Sequence, residues 1–227
     1  MSRFTRAAWL ILRKDLTVEV RSREIAYTTV FFAVSCLLVF AFALVREGRA
    51  PADGAAGILW IAVAFSGTLA LGRTFERERQ SETLRALLLA PAPRPAVYVG
   101  KLAGIMALLG ATECVIVPLV SLLFQVHLLA HPLWLAGILF TGTLGFAAVG
   151  TLFAAMLVRA RSRDVLLPVL LYPVTVPVII AGVRGTSALL QPQADAAIVG
   201  FWLALLVCFD TVFVTLALWT FEPVMTD

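Results

Sequence analysis

Residues 72–101, GRTFERERQSETLRALLLAPAPRPAVYVGK, are the one long, densely charged segment lying between two strongly apolar ones. Its first part reads as a short amphipathic helix. Charges fall at Glu76, Arg77, Glu78, Arg79, Glu82 and Arg85, and an apolar ridge at Leu84, Leu87 and Leu88. Arg79, Glu82 and Arg85 are spaced three apart, so opposite charges pair along one face. Pro91, Pro93 and Pro95 then stop the helix, because each lacks a backbone donor and pushes the residue before it out of the α region. The chain is expected to turn sharply back into the membrane there. A charged helix lying flat between two spans and closed by a rigid elbow suits the transmission of a push from a soluble partner. The plainer reading is a solvated, charge-anchored loop.

On either side the composition is that of a membrane protein. Of 227 residues 61% are hydrophobic and 14% charged, and the mean hydropathy of +0.96 is far above that of a soluble domain. The expected fold is an all-α integral membrane protein, a single transmembrane domain over residues 1–227. Six spans are read at about residues 25–45, 55–71, 102–126, 133–158, 165–183 and 197–219, each long enough for a hydrocarbon layer of about 30 Å. Residues 1–24 precede them as an interfacial helix, with Phe4, Ala8, Ile11 and Leu12 on one face and six basic residues around it. Ala41–Phe42–Ala43 resembles a signal-peptidase site, but the apolar run is too long and too far from the terminus, so it is read as a retained anchor.

Counting Lys and Arg by side gives topology. The first 24 residues, the central segment to Lys101 and the loop holding Arg159, Arg161 and Arg163 carry fifteen. The opposite face has only Arg46, Arg49 and Arg184. That bias places both termini and the central segment in the cytoplasm. It also accounts for the net charge of +4, so no nucleic-acid partner is called for.

Glu113 lies near the middle of the third span and Asp210 near the middle of the sixth, where an ionised carboxylate costs about 2.5–3.5 kcal/mol. Neither is expected to face lipid. They read as a polar path or a subunit interface, or else as neutral carboxyls bonded to a neighbouring helix. Pro118, five residues after Glu113, frees a carbonyl one turn away, and Pro168, Pro173 and Pro177 mark the fifth span as a kinked or broken helix and a candidate moving part. Gly100, Gly104, Ala107 and Ala111 form a small-residue ridge, and Thr141 and Gly145 a second pair, both read as helix packing.

Other chemistry finds little support. Cys36, Cys114 and Cys208 sit in apolar runs and read as small buried hydrophobes. His127 and His131 are four apart, but Pro132 favours a loop and no third ligand accompanies them, so no metal site is expected. The chain has no GxxxxGK[ST], HExxH or GxSxG, so it is read as a non-catalytic subunit that binds no cofactor itself. Its energy must come from a partner or a gradient.

Five stretches, GILWIAVAFSGTLALGRTF (57–75), LRALLLAPAPRPAVYVGK (84–101), ECVIVPLVSLLF (113–124), LGFAAVGTLFAAM (144–156) and LLPVLLYPVTVPVIIAG (166–182), together resemble the CcmB family. That family is the heme exporter B subunit of bacterial cytochrome c maturation, an ABC-2 type membrane subunit. The resemblance covers nearly the whole chain and is most specific at LLLAP with the following Lys101 and in the proline-rich fifth span. It implies the inner membrane, a partner ATPase CcmA that binds ATP, a second copy of the chain, and association with CcmC, CcmD and the heme chaperone CcmE. Heme is then cargo, or the ATPase instead drives release of heme-loaded CcmE. By position, the ATPase-contacting coupling helix of such exporters falls on residues 76–89. Two further readings stay open: an ABC-2 permease for lipid, polysaccharide or drug, and a non-transporting transducer for heme-handling neighbours.

Overall fold

The computed structural model describes residues 3–44, 52–80, 93–158, 160, 162–191 and 195–226, with side chains left out for 52–53, 75–80 and 222–226. The described residues form seven α-helices: α1 (Arg3–Ser22), α2 (Glu24–Leu44), α3 (Ala52–Gln80), α4 (Arg94–Leu123), α5 (Pro132–Met156), α6 (Arg163–Leu189) and α7 (Ala196–Thr226). One 3₁₀ turn, Leu128–Ala130, joins α4 to α5. Helices α2 to α7 are each long and apolar enough to cross a membrane, so the expected multi-pass all-α architecture holds.

Helix α5 is the axis. It packs on α3, α4, α6 and α7, and most of its residues from Gly142 to Ala155 are buried. Glycines there let large neighbours approach the backbone. A Cβ at Gly142 would lie 2.1 Å from the Trp60 ring, and one at Gly150 would lie 2.3 Å from Leu71. Without a hydrophobic force between helices in lipid, close van der Waals contact of this kind is what holds spans together. Tyr98 of α4 adds a bond from its hydroxyl to the Ala148 carbonyl at 3.0 Å, and its ring meets Phe221 of α7.

Helix α1 folds back along α4. A Cβ at Gly100 would be 2.9 Å from the Ala8 carbonyl oxygen and from Ile11, so half of the expected small-residue ridge is the seat of this chain's own amino-terminal helix. Lys101, 2% exposed, pairs with Asp15 at 2.7 Å across the same contact. The corner between α1 and α2 is a single residue, Arg23, in the left-handed conformation at φ 53°. Glycine usually takes that place after a helix. Glu19 reaches over the corner and accepts the Ala26 backbone N–H at 2.7 Å, capping α2.

Several boundaries differ from those read in the sequence. Helix α3 does not stop at residue 71 but runs on to Gln80, because residues 73–80 are mostly good helix formers with no proline among them. Helix α4 begins at Arg94 rather than near Leu102. Pro93 is its N-cap and Pro95 lies in its first turn, where a missing N–H costs nothing, so Pro95 opens a helix instead of stopping one. Helix α6 carries Pro168, Pro173 and Pro177 as one unbroken helix. Cys114 and Cys208 are exposed and Cys36 half-buried, not core residues, because a lipid-facing position tolerates a small apolar side chain as well as a buried one.

Removing the carboxylate opposite a buried cation costs more than replacing both partners. Asp15→Ala is therefore expected to destabilise the protein in detergent by up to about 3–5 kcal/mol, and the double change Asp15→Ala/Lys101→Met by clearly less. Thermal unfolding of the three proteins checks that order.

Candidate functional site: a helix extension and two intramembrane carboxyls

Of the charged segment, residues 76–80 continue α3, so Glu76, Arg77, Glu78 and Arg79 ride on a core helix. Glu82, Leu84, Arg85, Leu87 and Leu88 lie outside the described residues. The base of this extension is fastened on two sides. Arg163 at the start of α6, 5% exposed, donates from its guanidinium to the Gly72 carbonyl and holds Asp164 at 3.5 Å. Arg73 faces Glu24 of α2 at 3.8 Å. Deeper, the Thr68 and Tyr172 hydroxyls meet at 3.2 Å, joining α3 to α6 again. These contacts join α3 at the base of its extension to α6, the helix that carries Pro168, Pro173 and Pro177.

Near the middle of the bundle, one short section of α5 gathers the polar groups. Trp60 of α3 is fully buried between Gly142 of α5 and Gly182 of α6, and its indole N–H donates to Thr186 Oγ1 at 3.0 Å. Thr143 donates its hydroxyl to the Glu113 carboxyl of α4. A Cβ at Gly145 would lie 2.6 Å from Asp210 Oδ1 of α7. Thr143 and Gly145 are two residues apart, about 200° around a helix and about 3 Å along it. The two acids therefore sit at one depth on opposite sides of α5 and do not form a pair.

Both are buried as expected, Glu113 at 9% and Asp210 at 6% exposure. Their surroundings differ. Glu113 edges an open-sided groove of about 620 Å³ between α4 and α5, lined also by Met106, Cys114, Pro118, Leu139 and Phe140. Asp210 is packed against backbone, and its Oδ1 has no hydrogen-bond partner among the described residues. His127 and His131 flank the 3₁₀ turn instead of sharing a helical face. Among the described residues no group of His, Cys, Asp or Glu could hold a metal ion.

The structural leverage of three residues was not read from the sequence. Trp60 had a signal: an indole far from both interfaces needs a buried acceptor for its N–H. Arg163 was read only as a cytoplasmic charge, and Lys101 as one such charge within the most family-specific stretch, yet both are buried and hold backbone or carboxylate partners. Nothing local marks them, because their partners are 91 and 86 residues away.

Comparison with known proteins adds the following. The family model described as CcmB protein matches residues 6–225. Heme exporter protein B of Shigella flexneri is 33% identical over 201 residues, 86% of this chain and 90% of that one. Heme exporter protein B of Rhodobacter capsulatus is 31% identical over 173 residues, 76% of this chain and 78% of that one.

The packing in this section of α5 gives an ordered series of stabilities. Trp60→Phe, which loses one interhelical hydrogen bond and leaves a void beside Gly142 and Gly182, is expected to cost more than the roughly 0.6 kcal/mol of the bond alone. Gly182→Val, whose added atoms would overlap the indole, is expected to cost more than Trp60→Phe or to prevent folding. Glu113→Gln, which keeps an acceptor for Thr143, is expected to stay within about 1 kcal/mol of the parent. Thermal unfolding in detergent checks all three.

Proposed function

Because this chain belongs to the CcmB protein family, we propose that it is the membrane subunit of an ATP-driven complex of c-type cytochrome biogenesis in the bacterial inner membrane, with both termini cytoplasmic. In this reading an ATPase of the CcmA type binds the charged segment, and a second copy of the chain with its own ATPase completes the core. CcmC, CcmD and the heme chaperone CcmE are the neighbours it serves. The names of the relatives put heme handling ahead of lipid, polysaccharide or drug transport. The observation that carries the reading is the unbroken course of α3 from the buried Trp60 to Gln80. Force applied at Glu76–Arg79 reaches the core through a helix instead of a slack loop. Arg163 passes it on to α6.

Whether the work moves heme through the bundle or drives release of heme-loaded CcmE is a separate question. One observation favours the transducer. Trp60, Leu71 and Phe146 fill the space beside the glycines of α3, α5 and α6, so side chains occupy the centre of the bundle.

A heme stain of covalently bound c-type cytochromes tests the reading. A strain lacking this protein is expected to lose the stain, wild type to restore it and Arg79→Glu/Arg85→Glu not to restore it. Normal cytochromes in the deletion strain, with no second copy present, would refute the assignment. In the same assay a pure transducer predicts that Glu113→Gln and Asp210→Asn restore the stain. Loss of the stain with the complex still assembled would instead give the carboxyls a direct part.

A further inference from the structure

The small-residue ridge of α4 is only half used by the chain itself. Gly100 and Gly104 receive α1, but Ala107 and Ala111, further along the same face, are exposed. Beyond the crossing, α1 and α4 diverge and leave a groove of about 650 Å³, bounded by the second half of α1, the first turn of α2 and Thr74 of α3. Its floor is apolar, with Ile105, Ala107, Leu108 and Ala111. Its charged end holds Lys14 and Arg23 beside Asp15 and Glu19, with Lys101 buried behind them.

The two acids at that end are engaged within the protein. Asp15 takes Lys101 at 2.7 Å and Lys14 at 3.1 Å, and Glu19 caps the Ala26 N–H. With Asp15 neutralised by the buried Lys101, Lys14 and Arg23 stand with Glu19, a net positive charge. Arg23 stands at the corner where the chain passes from the interfacial helix into the first span, its guanidinium 3.3 Å from the Val20 carbonyl and 3.4 Å from the Tyr27 hydroxyl. An arginine at φ 53° accepts a conformation that glycine or asparagine takes at less cost, and it sets a cation at this corner. Positive charge at headgroup depth above an apolar trough is complementary to an anionic amphiphile, and basic pockets between spans on this face of a membrane hold anionic headgroups.

We infer that the groove between α1, α2 and α4 is a binding site for an anionic phospholipid of the cytoplasmic leaflet, its phosphate at Arg23 and Lys14 and an acyl chain along Ala107 and Ala111. The site rests on the topology proposed above but not on the cargo. A lipid there ties the α1–α2 corner to α4 and, through Thr74, to the base of the α3 extension. It is a structural ligand and not a transported one.

The full-length protein, purified and stripped of lipid in detergent, is titrated with phosphatidylglycerol, with phosphatidylcholine of the same chains, and with glycerol phosphate lacking chains. Native mass spectrometry counts adducts and thermal unfolding reports stabilisation. Phosphatidylglycerol is expected to bind and raise the melting temperature well beyond either control, with affinity falling about fivefold for each cation removed in Lys14→Ala and Arg23→Ala. Arg23→Gly separates binding from folding, because it relieves the backbone at that corner: its lipid-free melting temperature is expected to hold or rise while the preference for phosphatidylglycerol falls. Ala107→Phe is expected to block both lipids. Equal binding of the two lipids, or an undiminished preference in Arg23→Gly, would overturn the site. So would efficient disulfide crosslinking between copies carrying Ala107→Cys, which would make the groove a protein interface.

Discussion

The core of this bundle depends on how closely α3, α4, α6 and α7 approach α5. In lipid, apolar side chains gain nothing from leaving one apolar neighbour for another, so stability comes from close packing and from polar groups that find partners. Gly142, Gly145 and Gly150 of α5 and Gly182 of α6 have no side chain where Trp60, Asp210 and Leu71 lie. Close approach brings the Thr143 hydroxyl within reach of Glu113, and it places the Trp60 indole against Thr186. The polar groups in the membrane interior are a consequence of the packing, and once bonded they fix it.

The same logic extends outward to the charged face. Lys101 and Arg163 lie where spans meet the interface, and each is buried because it carries a contact between helices that are distant in sequence. Lys101 holds α1 on α4, and Arg163 holds α6 on the last membrane turn of α3. The charged extension is thus joined to the bundle at a few defined points. Helix α3 is joined to α6 by Arg163 and by the Thr68–Tyr172 contact, and to α5 by Trp60.

Much of this was legible in the sequence, and the exceptions have physical reasons. Six apolar runs, parted by charged segments or, between the third and fourth, by the short connection with His127, His131 and Pro132, specify the spans, since an unpaired backbone or a row of charges cannot rest in hydrocarbon. The burial of Glu113 and Asp210 followed from the cost of exposing them to lipid. Hydropathy does not distinguish a lipid-facing residue from a buried one, which is why Cys114 and Cys208 were placed in the core. Helix ends beyond the membrane were also obscure: the charges after Leu71 looked like the end of a span but are compatible with helix, and Pro95 looked like a stop but occupies a first turn. The pairing of Lys101 with Asp15, and of Arg163 with Gly72, is a property of the assembled bundle and leaves no local trace.

The central claim is that a soluble ATPase pushes on the α3 extension and the segment that follows it. Photo-crosslinking in cells is the most direct measurement, with a photoreactive amino acid placed in turn at position 79, at position 85 and, as a control on the opposite side of the membrane, at position 129. The account predicts a crosslink to the nucleotide-binding subunit from positions 79 and 85 and none from position 129. Absence of that crosslink at both positions, with the protein inserted and its complex intact, would contradict it.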